Sequence, residues 1–157
     1  MSLEKAKNYL SKFGMADRVV EFTSSSATVA EAAIAAGCTE GEIAKTLSFI
    51  VDDKPILIVV AGDVKIDNSK YKGYFHTKAK MIAFEDVEKL IGHAVGGVCP
   101  FGIEDGVNVY LDVSLKRFDM VYPACGSSNS AIKLTIEELE KTSAYIEWID
   151  VCKLIEQ

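Results

Sequence analysis

Three short stretches hold the residue types best suited to chemistry: Ile43-Ala44-Lys45-Thr46-Leu47-Ser48-Phe49, the glycine-rich run Gly96-Gly97-Val98-Cys99-Pro100-Phe101-Gly102, and Cys125-Gly126-Ser127-Ser128-Asn129. A lysine beside a hydrophobic strand usually snorkels to the surface. Its sharper reading places the ammonium over a cleft, where it binds phosphate or polarises an ester carbonyl. In the second stretch three glycines let the backbone approach a ligand or adopt positive φ, and Pro100 stiffens the turn. Successive free N–H groups in such a loop stabilise an anion or a developing oxyanion. No Gly-Lys-Ser/Thr follows, so this is not a nucleotide-binding P-loop. Cys99 offers a different chemistry, as a nucleophile with His93 or His76 as its base and the loop as an anion nest that lowers its pKa. The third stretch reads equally well as an ordinary turn.

Taken in order, Ala-Lys-Thr-Leu at 44–47, Gly-Gly-Val-Cys-Pro-Phe-Gly at 96–102, Tyr-Leu-Asp at 110–112 and Cys-Gly-Ser at 125–127 resemble the YbaK family, also called the prolyl-tRNA synthetase-associated editing domain family. The resemblance spans residues 28 to 135. It implies a freestanding, trans-acting hydrolase that cleaves the ester between a wrongly attached amino acid and the terminal adenosine of a tRNA, with no cofactor and no metal. Among freestanding relatives Cys-tRNA(Pro) is the commonest target, with Ala-tRNA(Pro) next. By this carry-over Lys45 is the functional lysine. Gly96, Gly97, Val98, Cys99 and Pro100 occupy the Gly-x-x-x-Pro loop, with Gly102 just beyond. Thr28 matches a threonine that opens the helix before the lysine, and Asp112 an aspartate in a later strand. Gly126 and Ser127 fall where the family lines the same pocket, and Thr46, Ser48 and Phe101 join the candidate substrate contacts. Such a site needs no catalytic triad, because an aminoacyl ester is already activated and positioning with electrostatics supplies much of the rate. The rival readings are the Cys99-dependent thiol hydrolase and a tRNA- or nucleotide-binding or regulatory module that keeps the fold without turnover. A complex with prolyl-tRNA synthetase is suggested by analogy alone.

These residues must be positioned by the elements around them. Leu3, Ala6, Leu10 and Phe13 share one helical face, with Ser2 as N-cap and Gly14 past the end. Thr28 with Glu31, Thr39 with Glu42, and Thr135 with Glu138 each form a capping box that predicts a helix start, and Gly37 ends the second helix. Thr46–Val51 and Ile56–Ala61 read as two strands joined by the polar turn Asp52-Asp53-Lys54-Pro55, apolar enough to be covered on both faces. Glu85–Ile91 and Ile136–Lys141 are predicted helices. Strand candidates are Arg18–Phe22, Val107–Val113, Met120–Pro123, Ala131–Leu134 and Tyr145–Val151. No Pro- or Ser-rich linker divides the chain. The expectation is one α+β domain over 1–157, a mixed central sheet with flanking helices.

Composition sets the outer bounds. The 157 residues are 49% hydrophobic and 25% charged, ordinary for a globular domain. No apolar run is long enough to span a bilayer, and the N-terminal segment has no signal-peptide core. Four scattered cysteines and two histidines fit reduced thiols in the cytoplasm and no zinc site. The net charge of −6 argues against a nucleic-acid partner, since phosphate neutralisation needs basic surface, and no DNA partner is expected. The distribution of charge is uneven, however: KIDNSKYKGYFHTKAK at 65–80 concentrates lysines among aromatic rings, whereas 136–157 is acidic. The basic stretch is either a solvated face or, through Lys70, Lys72 and Lys80, the surface that meets the tRNA backbone near its acceptor end.

Overall fold

The computed structural model describes residues 2–155. Helix α1 (Ser2–Ser11) turns at Gly14, φ 71°, and a short 3₁₀ turn leads into strand β1 (Val20–Glu21). Helix α2 (Val29–Ala36) begins at the Thr28 capping box and ends on Gly37 at φ 72°, as the cap residues require. The Thr39–Glu42 box opens only a 3₁₀ turn, Glu40–Glu42, because the chain enters strand β2 (Ile43–Val51) at the next residue. Close packing holds this turn in place: a Cβ on Gly62 would lie 2.1 Å from the Glu40 carbonyl oxygen.

Strand β2 hairpins into β3 (Lys54–Ala61) across Asp52 and Asp53, whose φ values of 51° and 65° give the two-residue loop the twist that tight hairpins need. Strand β4 (Val64–Ile66), helix α3 (Asn68–Phe75), helix α4 (Phe84–Ile91) and strand β5 (Asn108–Asp112) follow. Then come β6 (Met120–Pro123), β7 (Ser130–Ala131), β8 (Leu134–Thr135), α5 (Ile136–Ser143), β9 (Glu147–Ile149) and β10 (Cys152–Leu154).

The main sheet has six strands in the order β8-β6-β2-β3-β5-β9. Pairs β2/β3 and β6/β8 are antiparallel, while β2/β6, β3/β5 and β5/β9 are parallel. This is the mixed α+β architecture that the pattern of elements predicts. Strand β3 is its spine: every side chain from Ile56 to Ala61 is 3% exposed or less. Burial of the large aliphatics there contributes roughly 1.5–3 kcal/mol each. Two small sheets, β1/β7 and β4/β10, stand beside the main one.

The sequence expectations miss three elements. Helix α3 lies inside the basic stretch, capped by Asp67, whose carboxylate accepts from the Ser69 and Lys70 amides. It carries no amphipathic stripe, and its anchor is the single fully buried Tyr71, packed on Phe49 and Phe75. Strands β4 and β10 are three residues each and too short to show alternation. The expected strand over 131–134 is broken into β7 and β8, and the one over 145–151 is shortened to β9.

Candidate functional site

A cleft of about 540 Å³ opens beside the outer edge of β2. Lys45 stands on its wall, and it is the one charged side chain among the described residues that line it. Half-burial removes water from the ammonium and draws its pKa below the ordinary lysine value, while Asp63 pulls the other way. Asp63 is itself held by Arg117, with Nη1 3.1 Å from Oδ2. Lys45 has no hydrogen-bond or ion-pair partner among the described residues, so its charge is open to a ligand.

The edge of β2 is interrupted where it meets the cleft. Strand β6 pairs with Ile43 and Ala44 and then leaves. The chain at 80–82 pairs further along, with Ile82 N–H donating to Ser48 O at 3.2 Å and Ile50 N–H to Lys80 O at 2.9 Å. Lys45, Thr46 and Leu47 have β3 on one side and no strand on the other. The Thr46 hydroxyl is buried without a partner among the described residues.

The glycine loop lines the same cleft through Gly96 and Val98. Gly96 has φ 96°, a conformation suited to glycine. Gly97 must also be glycine, for a different reason: a Cβ there would lie 2.5 Å from the Gly126 carbonyl carbon. Gly97 N–H donates to Ala94 O at 3.0 Å, so that amide is spent inside the turn. Gly126 and Ser127 therefore stand behind the loop and support it. Ser127 Oγ is bonded to the Asn129 and Ser130 side chains at 3.0 and 2.7 Å, and the turn is strapped to residues 22–26 by Phe22 N–H to Asn129 O and Ser26 N–H to Ser128 O.

Thr28, Thr46 and Ser48 line the same cleft as Lys45. Thr28 already serves α2, its Oγ1 accepting from the Glu31 amide at 3.2 Å. The remaining expected residues point elsewhere. Cys99 and Phe101 are fully buried in the core. Pro100 and Gly102 border a second cavity, near α1, where a Cβ on Gly102 would strike the Lys5 carbonyl. Asp112 is buried and occupied, its carboxylate accepting from the Val151 and Ser114 amides, both at 2.9 Å, so it ties the ends of β5 and β9 together.

The cysteine–histidine reading fails on geometry. His93 Nε2 lies 2.6 Å from Phe101 O, a contact that requires Nε2–H to donate, so this nitrogen cannot take a proton from the Cys99 thiol 3.5 Å away. Burial pushes that thiol up to about 12, and pushes the imidazole pKa down. His76 caps α3 at φ 61°.

Sequence reasoning missed the rim. Met81, Phe84 and Val95 line the cleft while 60%, 76% and 49% exposed, an apolar margin around its mouth. Of the expected tRNA-facing lysines, Lys70 is engaged, its ammonium 3.0 Å from both Asp150 Oδ1 and Cys152 O. Lys72 and Lys80 are exposed, and Lys80 immediately precedes the rim. No helix among the described residues is long and apolar enough to cross a membrane.

Comparison with known proteins adds ancestry. Residues 23–142 match the family described as Aminoacyl-tRNA editing domain. The chain is 51% identical over 154 residues, 98% of each chain, to "Uncharacterized protein YwhH" of Bacillus subtilis (strain 168). It is 31% identical over 74 residues to a proline–tRNA ligase of Leuconostoc mesenteroides, covering 46% of this chain and 13% of the ligase. A crystal structure described as "a putative trans-editing enzyme for prolyl tRNA synthetase" superposes with TM-score 0.87 at 29% identity, covering 97% of each chain.

Proposed function

We propose, for a chain that belongs to the aminoacyl-tRNA editing domain family, that the Lys45 cleft hydrolyses the ester of mischarged aminoacyl-tRNA in trans. The observation that carries this reading is the presence in one cleft of Lys45, half-buried and the one charge among the described residues that line it, together with Gly96 and Val98 of the glycine loop. A site of this composition attracts anions and stabilises negative charge on a carbonyl oxygen. Among the described residues no cysteine and no histidine lines it, which suits a substrate already activated as an ester.

In the proposed reaction the oxygen of a water bonds to the aminoacyl carbonyl carbon, and the carbonyl oxygen takes up negative charge. The bond from that carbon to the ribose oxygen then breaks. The ribose oxygen receives a proton originating from the water, and the products are the free amino acid and a tRNA with its terminal hydroxyls restored. Alternatively, a substrate side-chain group attacks the carbonyl carbon and expels the ribose oxygen, which takes up that group's proton. Water then opens the cyclic ester or thioester so released. A vicinal ribose hydroxyl in that role gives the isomeric ester, which water must still cleave. Lys45 offsets the charge of the terminal phosphate or of the carbonyl oxygen.

The amino acid is proposed to be small and uncharged, since Ile43, Ile82, Val87 and Val98 line the space and, among the described residues, no carboxylate does. Cys-tRNA(Pro) is the first candidate and Ala-tRNA(Pro) the second, both in the role of a second sieve for errors that binding alone rejects weakly. The phosphates of the acceptor end would meet Lys72 and Lys80. The reading implies a cytoplasmic protein and leaves association with prolyl-tRNA synthetase as a corollary.

The test is ester loss from a panel of tRNAs charged with cysteine, alanine, serine, proline and larger residues. Hydrolysis of one or two small aminoacyl esters, reduced at least 100-fold by Lys45→Ala, supports the reading. Equal background rates for both proteins on every substrate would refute it.

A further inference from the structure

The interruption in the edge of β2 has a definite size. Main-chain polar groups of alternate residues point to the same side of a strand. Ser48 O and Ile50 N–H both bond outward, to the chain at 80–82. By the same alternation the Thr46 N–H and C=O point outward, into the space left between Ala44, where β6 ends its pairing, and Ser48. Among the described residues nothing bonds to either group. The chain at 80–82 runs antiparallel to β2 toward Thr46. It then turns into α4 at Phe84, before a residue has been placed opposite Thr46. The gap therefore holds both main-chain polar groups of Thr46 together with the Ser48 N–H, and it lines the cleft.

An antiparallel ladder pairs two residues by exchanging two bonds, N–H of each to C=O of the other. An aminoacyl ester carries the same pattern in a single unit: an ammonium, a Cα and a carbonyl. The geometry points to the aminoacyl group of the substrate as the missing residue of the sheet, held by Thr46 N–H on its ester carbonyl and by Thr46 C=O on its α-ammonium. This assignment rests on the deacylase reading and deepens it. It places a main-chain donor on the oxygen where negative charge develops, next to Lys45 in the strand and in the cleft that Gly96 also lines. Recognition of this kind reads the part common to all amino acids and leaves selection by size to the apolar walls.

The probe is a non-hydrolysable analogue, 3′-amino-3′-deoxyadenosine acylated with cysteine or alanine through an amide. The amide-proton exchange of Thr46 is followed by NMR in wild-type protein. Saturating analogue is expected to slow it at least 10-fold, and the propionyl analogue, which lacks the α-ammonium, to bind at least 10-fold more weakly. Unchanged Thr46 exchange at saturation overturns the assignment.

Kinetics supply the second arm. Thr46→Pro removes the outward N–H at an edge position where proline is tolerated. On whichever aminoacyl-tRNA the wild type cleaves, kcat is expected to fall about 100-fold, the usual effect of one lost oxyanion donor, with KM within 3-fold. Thr46→Val, which loses only the hydroxyl, is expected to keep at least 10-fold more activity than Thr46→Pro. Equal activity of a folded Thr46→Pro variant and wild type overturns the assignment. Should that variant not fold, the exchange measurement decides alone. Should wild type cleave no ester, the deacylase reading falls, and slowed or unchanged Thr46 exchange still decides for or against the gap.

Discussion

The sulfur of Cys99 lies 3.5 Å from His93 Nε2, and the proton on that nitrogen is already directed at Phe101 O. Two residues that read as a nucleophile and its base in the sequence are thus joined through a shared acceptor. Both donate into one carbonyl, the thiol at 3.7 Å, and this fixes the base of the glycine loop.

A consequence is that Cys99→Ala leaves ester hydrolysis within about 3-fold of wild type. It costs about 1 kcal/mol or more in stability from the small void it leaves. A thiol reagent should leave Cys99 unmodified in the native protein and label it after denaturation. Loss of activity in a well-folded Cys99→Ala protein would restore the nucleophile reading.

Lys45 gives a pH signature. Its folded-state pKa lies below the ordinary value of 10.5, so the charged form is lost as pH rises through a lower value than an exposed lysine would show. After subtraction of spontaneous ester loss, kcat/KM is expected to fall on an alkaline limb below that of a free lysine. In Lys45→Arg the residual activity should lack this limb, because guanidinium stays charged. An identical limb in both proteins would assign it to another group.

Gly97→Ala should be among the most damaging single changes near the cleft. The added methyl meets the backbone of Gly126 at 2.5 Å, and no flexible side chain is there to yield. Overpacking of this kind costs about 1–3 kcal/mol. Denaturant unfolding should show it, together with loss of activity, whereas Gly73→Ala, with open space around it, should show neither.

The lysines of the basic stretch should separate. Lys80→Ala is expected to raise KM for aminoacyl-tRNA several-fold and to lower the slope of log KM against log salt by about 1. Lys70→Ala should leave both unchanged, since its charge is turned to Asp150, and its stability cost should stay within about 1 kcal/mol for so exposed a pair. Equal effects from the two would make the stretch a diffuse field with no defined contact.

The parts of this molecule legible in the sequence are those whose cause is local. Thr28 and Glu31 cap α2 because their spacing alone satisfies the first-turn amides, and Asp52-Asp53 turns the hairpin because short acidic side chains tolerate positive φ. Lys45 stands out because a charge beside an apolar strand needs a reason. The Thr39–Glu42 pair shows the limit, since its box forms while the next residue is drawn into β2 by the sheet. Asp112 and Phe101 sit in recognisable motifs yet serve the core, and only long-range contacts with Val151 and Tyr9 reveal that. The rim at Phe84 and the gap at Thr46 are invisible in sequence for the same reason: each depends on where another segment stops.

That stopping point has a bearing on traffic through translation. The chain at 80–82 occupies the side of the gap toward which the amino end of a bound aminoacyl group would extend. A second residue attached there would collide with Ile82. Peptidyl-tRNA, the growing product held by every working ribosome, would be turned away by the wall that admits a single aminoacyl group, so a proofreading enzyme built this way would spare the nascent chain.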